Sequence, residues 1–407
     1  MKRNEAPAQG PLQGLRVAHC SLSVAGPFAA QMMADLGADV IWIENPRMPD
    51  IARDLDGKGR AVDLDRRNQR TISLNVPTAE GSDVFARLLV DLDIFIEASK
   101  PGQYEKWGWS DERMWEINPK LVIAHISGYG QSGDARYAGR ASYDPIAQAF
   151  GGLMAMNGTP QMQSFPAMWA VADYYTGMFT AFTCLAAHLR AKQTGQGESI
   201  DSAQYEIVAR TLGTFGMDSW NTGVPYVKKL VNNGNTAGYN TYRCADGNEV
   251  FMLLLGGGVM KAGVPLFGLE YGGEDFPENC WKVNTDSPAG IKLEAAIAGF
   301  CGQHPAQEVE DILSAASVPC GCIVRVEDMP SNAQYVARDT FVEYQSETSG
   351  VPVKAIDVVP KLKNNPGKVW RGGPRIGQDT ADILCEIGYS AEEIERLGES
   401  KAVRIGR

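Results

Sequence analysis

Short, nearly continuous apolar runs alternate with amphipathic stretches through the N-terminal half of the chain. Leu15 to Cys20, Asp39 to Glu44, Thr71 to Leu74, Ile94 to Glu97 and Leu121 to Ile126 read as strands buried on both faces. Between the first two, Ala25-Gly26-Pro27 opens a helix with an apolar stripe of Phe28, Met32, Met33 and Leu36, and Gly37 stops it. Val84 to Val90 has helical spacing. Tyr174 to Lys192 predicts a long helix with Met178, Phe182 and Leu185 on one stripe, and Gln204 to Trp220 predicts another. This alternation predicts an α/β fold with an open, parallel sheet.

The pattern changes after Trp220. Asn221 to Asn240 is rich in Gly and Asn and reads as a linker. Thr241 to Cys244 and Glu249 to Leu255 flank the turn Ala245-Asp246-Gly247-Asn248 and predict a hairpin. Gly290 to Phe300 and Ala306 to Ala316 are helical, and Val318 to Val324 is strand-like. From about Ser331 the pattern is mixed, ending in helical runs at Thr380 to Ile387 and Ala391 to Leu397.

Composition narrows the field. A chain of 407 residues exceeds one ordinary core and implies two or three folding units. Net charge −11 argues against nucleic-acid or anionic-membrane partners on bulk charge. No run is apolar enough for a membrane helix, and Met1 to Gly10 lacks the apolar core of a signal peptide, so a cytoplasmic protein is expected. The eight cysteines have no CxxC pair, and the four histidines add no metal spacing. Buried thiols, and no metal, are expected.

Two glycine motifs invite a nucleotide reading and fail it. Gly128 to Gly133 matches G-x-G-x-x-G after a strand, but Asp134 to Arg140 has no amphipathic stripe to open the required helix. A turn at the carboxyl end of a strand is expected there. Gly256-Gly257-Gly258 lacks the Lys-Ser/Thr pair of a P-loop and reads as a strand-to-helix turn.

Asp173 stands between an apolar segment and the long helix. It can be a helix cap, or a carboxylate kept ionised by the helix field and able to attack an acyl group. Position alone leaves both open. Lys100 follows the strand Ile94 to Glu97 and reads as a solvated loop lysine or a phosphate contact. Tyr143-Asp144 reads as a turn with a partly buried ring. Trp107, Trp109, Trp115 and Trp169 fit a core or a ligand-stacking surface.

Several ordered segments resemble the family III CoA-transferases. They include Gly14-Leu15-Arg16-Val17, Ala25-Gly26-Pro27-Phe28, Gly37 to Glu44, Asp93 to Lys100, Asn118 to Ala124, Ser127-Gly128-Tyr129-Gly130 and Thr194 to Asp201. The similarity runs from about Pro11 to Tyr389. Lys363 to Gly372 resembles the carnitine branch, whereas Arg140 to Asp144 and Phe276-Pro277-Glu278 resemble the bile-acid branch.

The resemblance implies a Rossmann-like large domain (residues 1–221 and 331–407), a smaller α+β domain (222–330), and an interlocked homodimer. It implies transfer of CoA from an acyl-CoA to a free carboxylic acid, with no permanently bound cofactor. The carnitine, butyrobetaine or crotonobetaine type is the expected acid, with a bile acid as the alternative. Asp173 would be the nucleophile. Lys100 would contact CoA, with Lys106 or Trp107 as a second contact. Tyr143 and Asp144 would lie near the nucleophile. The formyl-CoA branch's mobile glycine loop falls on Asn232 to Asn235 here. The related α-methylacyl-CoA racemase has a histidine where this chain has Tyr143, which argues against two-base proton transfer. A non-catalytic CoA-binding protein is the remaining alternative.

Overall fold

The structure is a computed structural model and describes residues 1–54, 57, 59–228 and 236–406. The expected loop at Asn232 to Asn235 lies outside the described residues. The described chain forms two compact units, one of residues 1–157, 164–226 and 336–407, the other of 158–163 and 227–335.

The larger unit begins with β1 (Arg16–Cys20), β2 (Asp39–Glu44), β3 (Arg70–Leu74), β4 (Ile94–Glu97), β5 (Val122–Ser127) and β6 (Glu198–Ala203). The smaller unit contains β7 (Tyr239–Arg243), β8 (Glu249–Leu253) and β9 (Cys320–Cys322), an antiparallel sheet in that order. The chain then returns to the larger unit with the hairpin β10 (Phe341–Gln345) and β11 (Pro352–Ile356), and with β12 (Val403–Arg404). The central sheet has the order β12-β3-β2-β1-β4-β5-β6. Only β12 runs antiparallel to its neighbour. The strand order reverses between β1 and β4, so loops at their carboxyl ends diverge and leave a crevice.

The apolar runs are buried on both faces because helices cover both. On one face Val17, Val40, Ile94, Ile96, Val122 and Ala124 meet Ala29, Ala30 and Met33 of the helix Ala25–Asp35 and Ala181 and Cys184 of the long helix Val171–Thr194. On the other, Ala18, Ile41, Ile72, Phe95 and Ile123 meet Val84, Phe85 and Leu88, together with Ile383, Leu384, Ile394 and Leu397 from the C-terminal helices. Each fully buried aliphatic side chain contributes about 1.5–3 kcal/mol. The smaller unit has its own core, including Met252, Leu254, Val264, Leu293, Ile297 and Leu313.

Three sequence expectations need correction. The long helix starts at Val171, before Asp173, because the cap comes from elsewhere in the chain. Gln204 to Trp220 is two helices, Gln204–Arg210 and Thr214–Thr222. Gly213 breaks it with φ 63° and ψ −142°, a conformation essentially restricted to glycine. The strand expected over Val318 to Val324 shortens to β9.

All eight cysteines are free thiols. Among the described residues no helix is long and apolar enough to cross a membrane, and no cluster of His, Cys, Asp and Glu is placed to hold a metal.

Candidate active site

The crevice at the carboxyl ends of β1 and β4 contains a cavity of about 330 Å³. Its walls are Leu22 to Ala25 after β1, Ala98 to Pro101 after β4, and Ile126 to Gly128 at the end of β5. Arg140 to Tyr143, Asp173 and Gln204 complete the lining. Gly128 belongs to the rejected dinucleotide motif, and a packing reason explains it. A Cβ there would lie 2.0 Å from Ser142 Cβ, so glycine lets the Arg140 to Tyr143 segment close over β5. No helix opens at Gly133; the next one is Asp144–Phe150. Gly256 precedes the helix Gly257–Leu266, a strand-to-helix turn after β8.

Asp173 occupies the third position of the long helix and is 6 % exposed. Ala170, at the cap position of that helix, offers no side-chain cap bond. Asp144 takes over this task from a distant point in the chain. Its Oδ2 accepts the backbone N–H groups of Ala172 at 2.6 Å and Asp173 at 3.2 Å. Gln148, one turn further along the helix Asp144–Phe150, donates to Asp144 Oδ1 at 2.6 Å and to the Met168 carbonyl at 2.8 Å. It also accepts from Ala167 N–H at 2.9 Å, so the loop leading to Asp173 is tied down. Ala170, just before the long helix, is fully buried in the left-handed region at φ 65°. For a residue with a Cβ that conformation costs on the order of 1 kcal/mol. The fixed approach to Asp173 is therefore held under mild strain.

The bond to the Asp173 side chain comes from Gln204, whose Nε2 donates to Asp173 Oδ1 at 2.5 Å. Gln204 follows directly after β6, so the sheet aims it at the cavity. Among the described residues neither Asp173 nor Asp144 is ion-paired with Lys, Arg or His. Burial pushes the Asp173 carboxyl up to about 7, and the neighbouring Asp144 carboxylate adds to the rise. The Gln204 hydrogen bond acts in the opposite sense. Near neutral pH the group is thus divided between acid and carboxylate, and its anion is only partly solvated. Such a carboxylate can attack an activated acyl carbon.

Of the residues expected from the sequence, Asp173, Tyr143 and Lys100 line this cavity. Tyr143 is 59 % exposed on its rim, and Asp144 is buried behind Asp173. Lys106 and Trp107 are not part of the lining. Lys106 is exposed at the end of the short helix Gln103–Lys106. Trp107 instead packs edge-on against Tyr104 (5.1 Å between centroids) beside the Phe85–Phe95–Trp109 core. The second cation at the cavity is Arg140, whose guanidinium covers the Tyr137 ring at 4.7 Å.

Gln204 and Arg140 were not predicted. Recognising β6 as a strand would have found Gln204 at its carboxyl end. Glu198 to Ala203 is half polar because one face of this edge strand is exposed, so it gives no apolar run.

A sequence profile of CoA-transferase family III matches residues 12–380. The chain is 38 % identical over 397 residues to the bile acid CoA-transferase BaiK of Clostridium scindens, covering 96 % of this chain and 89 % of that one. A crystal structure of a CAIB/BAIF family protein from Brucella suis superposes with a TM-score of 0.78 at 27 % identity, covering 93 % of this chain and all of the other. Rv3272 from Mycobacterium tuberculosis superposes with a TM-score of 0.79 at 21 % identity over the same shares, a likeness of fold.

Proposed function

The chain belongs to CoA-transferase family III, and we propose that it transfers CoA from an acyl-CoA to a free acid through a covalent aspartyl intermediate on Asp173. The carrying observation is a buried carboxylate that faces a cavity with one amide donor and no paired cation. Asp173 attacks the donor thioester carbonyl and expels CoA thiolate, forming a mixed anhydride. The thiolate then attacks the aspartyl carbonyl, releasing the donor acid and leaving an aspartyl-CoA thioester. The acceptor carboxylate attacks that thioester and expels the thiolate again. Attack of the thiolate on the acceptor's acyl carbon yields the new acyl-CoA and restores Asp173. Every step exchanges one acyl bond for another, so no external proton donor or redox group is needed.

Gln204 stabilises the aspartate before attack and orients the reacting oxygen. Lys100 and Arg140 give the cavity positive charge for the phosphates and carboxylates of its ligands. Among the described residues no histidine lines the cavity, so the two-base racemase reading gains no support from the lining.

For the acid, a flat apolar body is better supported than the carnitine type. Arg140 occupies the Tyr137 face that a trimethylammonium group would need, and its charge repels such a group. Tyr129, Tyr137, Phe150 and Tyr205 form a contiguous aromatic cluster with centroids 4.9–6.2 Å apart, beginning one residue from the cavity at Gly128. The bile-acid relative points the same way. The proposal includes a homodimer, because Phe182 (74 % exposed) and Leu189 (63 %) leave an apolar face on the long helix.

Incubating the protein with an acyl-CoA and then hydroxylamine tests the intermediate. An aspartyl hydroxamate at Asp173, located by mass spectrometry, is the expected product. Full turnover by Asp173→Ala would refute the mechanism. Acceptor competition between cholate and crotonobetaine tests the acid class, with cholate expected to win.

A further inference from the structure

A second buried charge network lies beside the cavity, and the transfer steps above do not use it. Glu97 is the last residue of β4, and His125 lies opposite it on β5. They are 3 % and 7 % exposed. His125 Nδ1 lies 2.7 Å from Glu97 Oε1, and Nε2 lies 3.0 Å from Asp111 Oδ1. Both ring nitrogens therefore face carboxylate oxygens, and only an imidazolium can donate to both. Burial alone would depress its pKa, but the bonds to Asp111 and Glu97 outweigh burial and raise it to about 10.

Glu97 uses its other oxygen differently. Oε2 accepts the Ser99 backbone N–H at 2.6 Å, which fixes the first turn after β4. Ser99 and Lys100, the next residues along, line the cavity. Among the described residues the Lys100 ammonium has no hydrogen-bond or ion-pair partner, so its direction depends on this turn. A bare carboxylate three residues before Lys100 would repel an anionic ligand. The imidazolium, shared with Asp111, offsets part of that charge while leaving Oε2 to hold the backbone.

We propose that Glu97, clamped by the His125 imidazolium, is a positioning residue for CoA: it shapes the Ser99–Lys100 turn so that Lys100 meets the ligand's phosphates. This rests on the CoA-transfer reading of the cavity.

A double-mutant cycle on CoA binding, measured by titration calorimetry, tests it. Lys100→Ala and Glu97→Gln should each weaken binding about tenfold, the loss of one charge-assisted contact. Glu97→Gln introduced into the Lys100→Ala protein should then change Kd less than about twofold, because coupled residues do not add. In turnover, the loss from Glu97→Gln should fall on KM for acyl-CoA rather than on kcat. His125→Gln, which keeps a donor toward Glu97, should reproduce the pattern and serves where Glu97→Gln folds poorly. Equal factors in both backgrounds, or no effect of Glu97→Gln on the otherwise intact protein, overturn the positioning role. Unmeasurable CoA binding by the unaltered protein overturns the CoA reading instead, and the positioning role with it. Wild-type affinity in Lys100→Ala removes the Lys100 contact alone, and that too ends the proposal.

Discussion

Two parts of the larger unit bury charge, and they treat it in opposite ways. Around β2 and β3 several buried carboxylates face guanidinium groups. Arg67 Nη2 meets Asp35 at 2.7 Å, with Asn68 donating to the same group. Arg70 bridges Asp39 at 2.8 Å and Glu386 at 2.9 Å. Arg371 bridges Glu347 at 2.6 Å and Asp379 at 3.2 Å. At the cavity, Asp144 and Asp173 sit together with amide donors only. Desolvation is costly in both places. In the first region the neighbouring cations work against it and the charge becomes a fastening. In the second much of it is left uncompensated, and the Asp173 carboxyl is pushed up to about 7.

The contrast can be broken most sharply at Asp173. Asp173→Asn should lower kcat by about 10⁴-fold or more, since the covalent route disappears. Its effect on stability should have the opposite sign. Folding raises the Asp173 pKa to about 7, so folding favours the protonated form. That contribution is fully present below about pH 4 and is lost as pH rises through 7. The asparagine variant should therefore melt above wild type at pH 8, with the gap closing toward pH 4. A variant that melts well below wild type at pH 8 would contradict the unmatched-charge account.

Arg67→Ala probes the matched region. It strands Asp35 and should reduce unfolding free energy by about 3–5 kcal/mol in denaturant titrations. Its kcat per folded molecule should stay close to wild type; a large specific loss there would erase the distinction between the two regions.

Two smaller effects refine the picture through pH. Wild-type kcat/KM should decline as pH falls through about 7, because in the proposed mechanism Asp173 attacks as the carboxylate. Gln204→Leu removes the bond that favours the anion, so this acid limb should move to higher pH, with about tenfold less activity at pH 6. Asp144→Asn removes the like charge and keeps an acceptor for the Ala172 and Asp173 N–H groups. Its acid limb should move about one pH unit lower. Movement of both limbs in the same direction would show that Asp173 is not the titrating group.

What could be read in advance follows the same division. The strands β1 to β5 are legible because both faces are covered and their apolar residues run together. β6 escapes, being an edge strand with polar residues on its open face. β12 is too short to leave a periodic signal. At the site, Asp173 stands out by its place before an amphipathic stretch. Its cap comes from Asp144, and its donor from Gln204; both are fixed by packing across the fold, which local pattern does not carry. Lys106 and Trp107 show the converse. Adjacent to a cavity-lining loop in sequence, they turn away because Gly102 starts a helical turn with φ 74°.

The edge strand β12 also has a kinetic consequence. Val403 and Arg404 pair with Leu74 and Ser73, so the free edge of β3 is covered by residues made more than three hundred positions later. The smaller unit is complete long before that, while a nascent chain still displays β3's unpaired backbone groups. During synthesis at about 5–20 residues per second, that edge stays open for tens of seconds, a template for mispairing with other nascent chains. Holding back aggregation over this interval falls to chaperones and to Arg70, the one charged residue of β3. Contacts of such long range also make docking of the C-terminal segment a slow folding step.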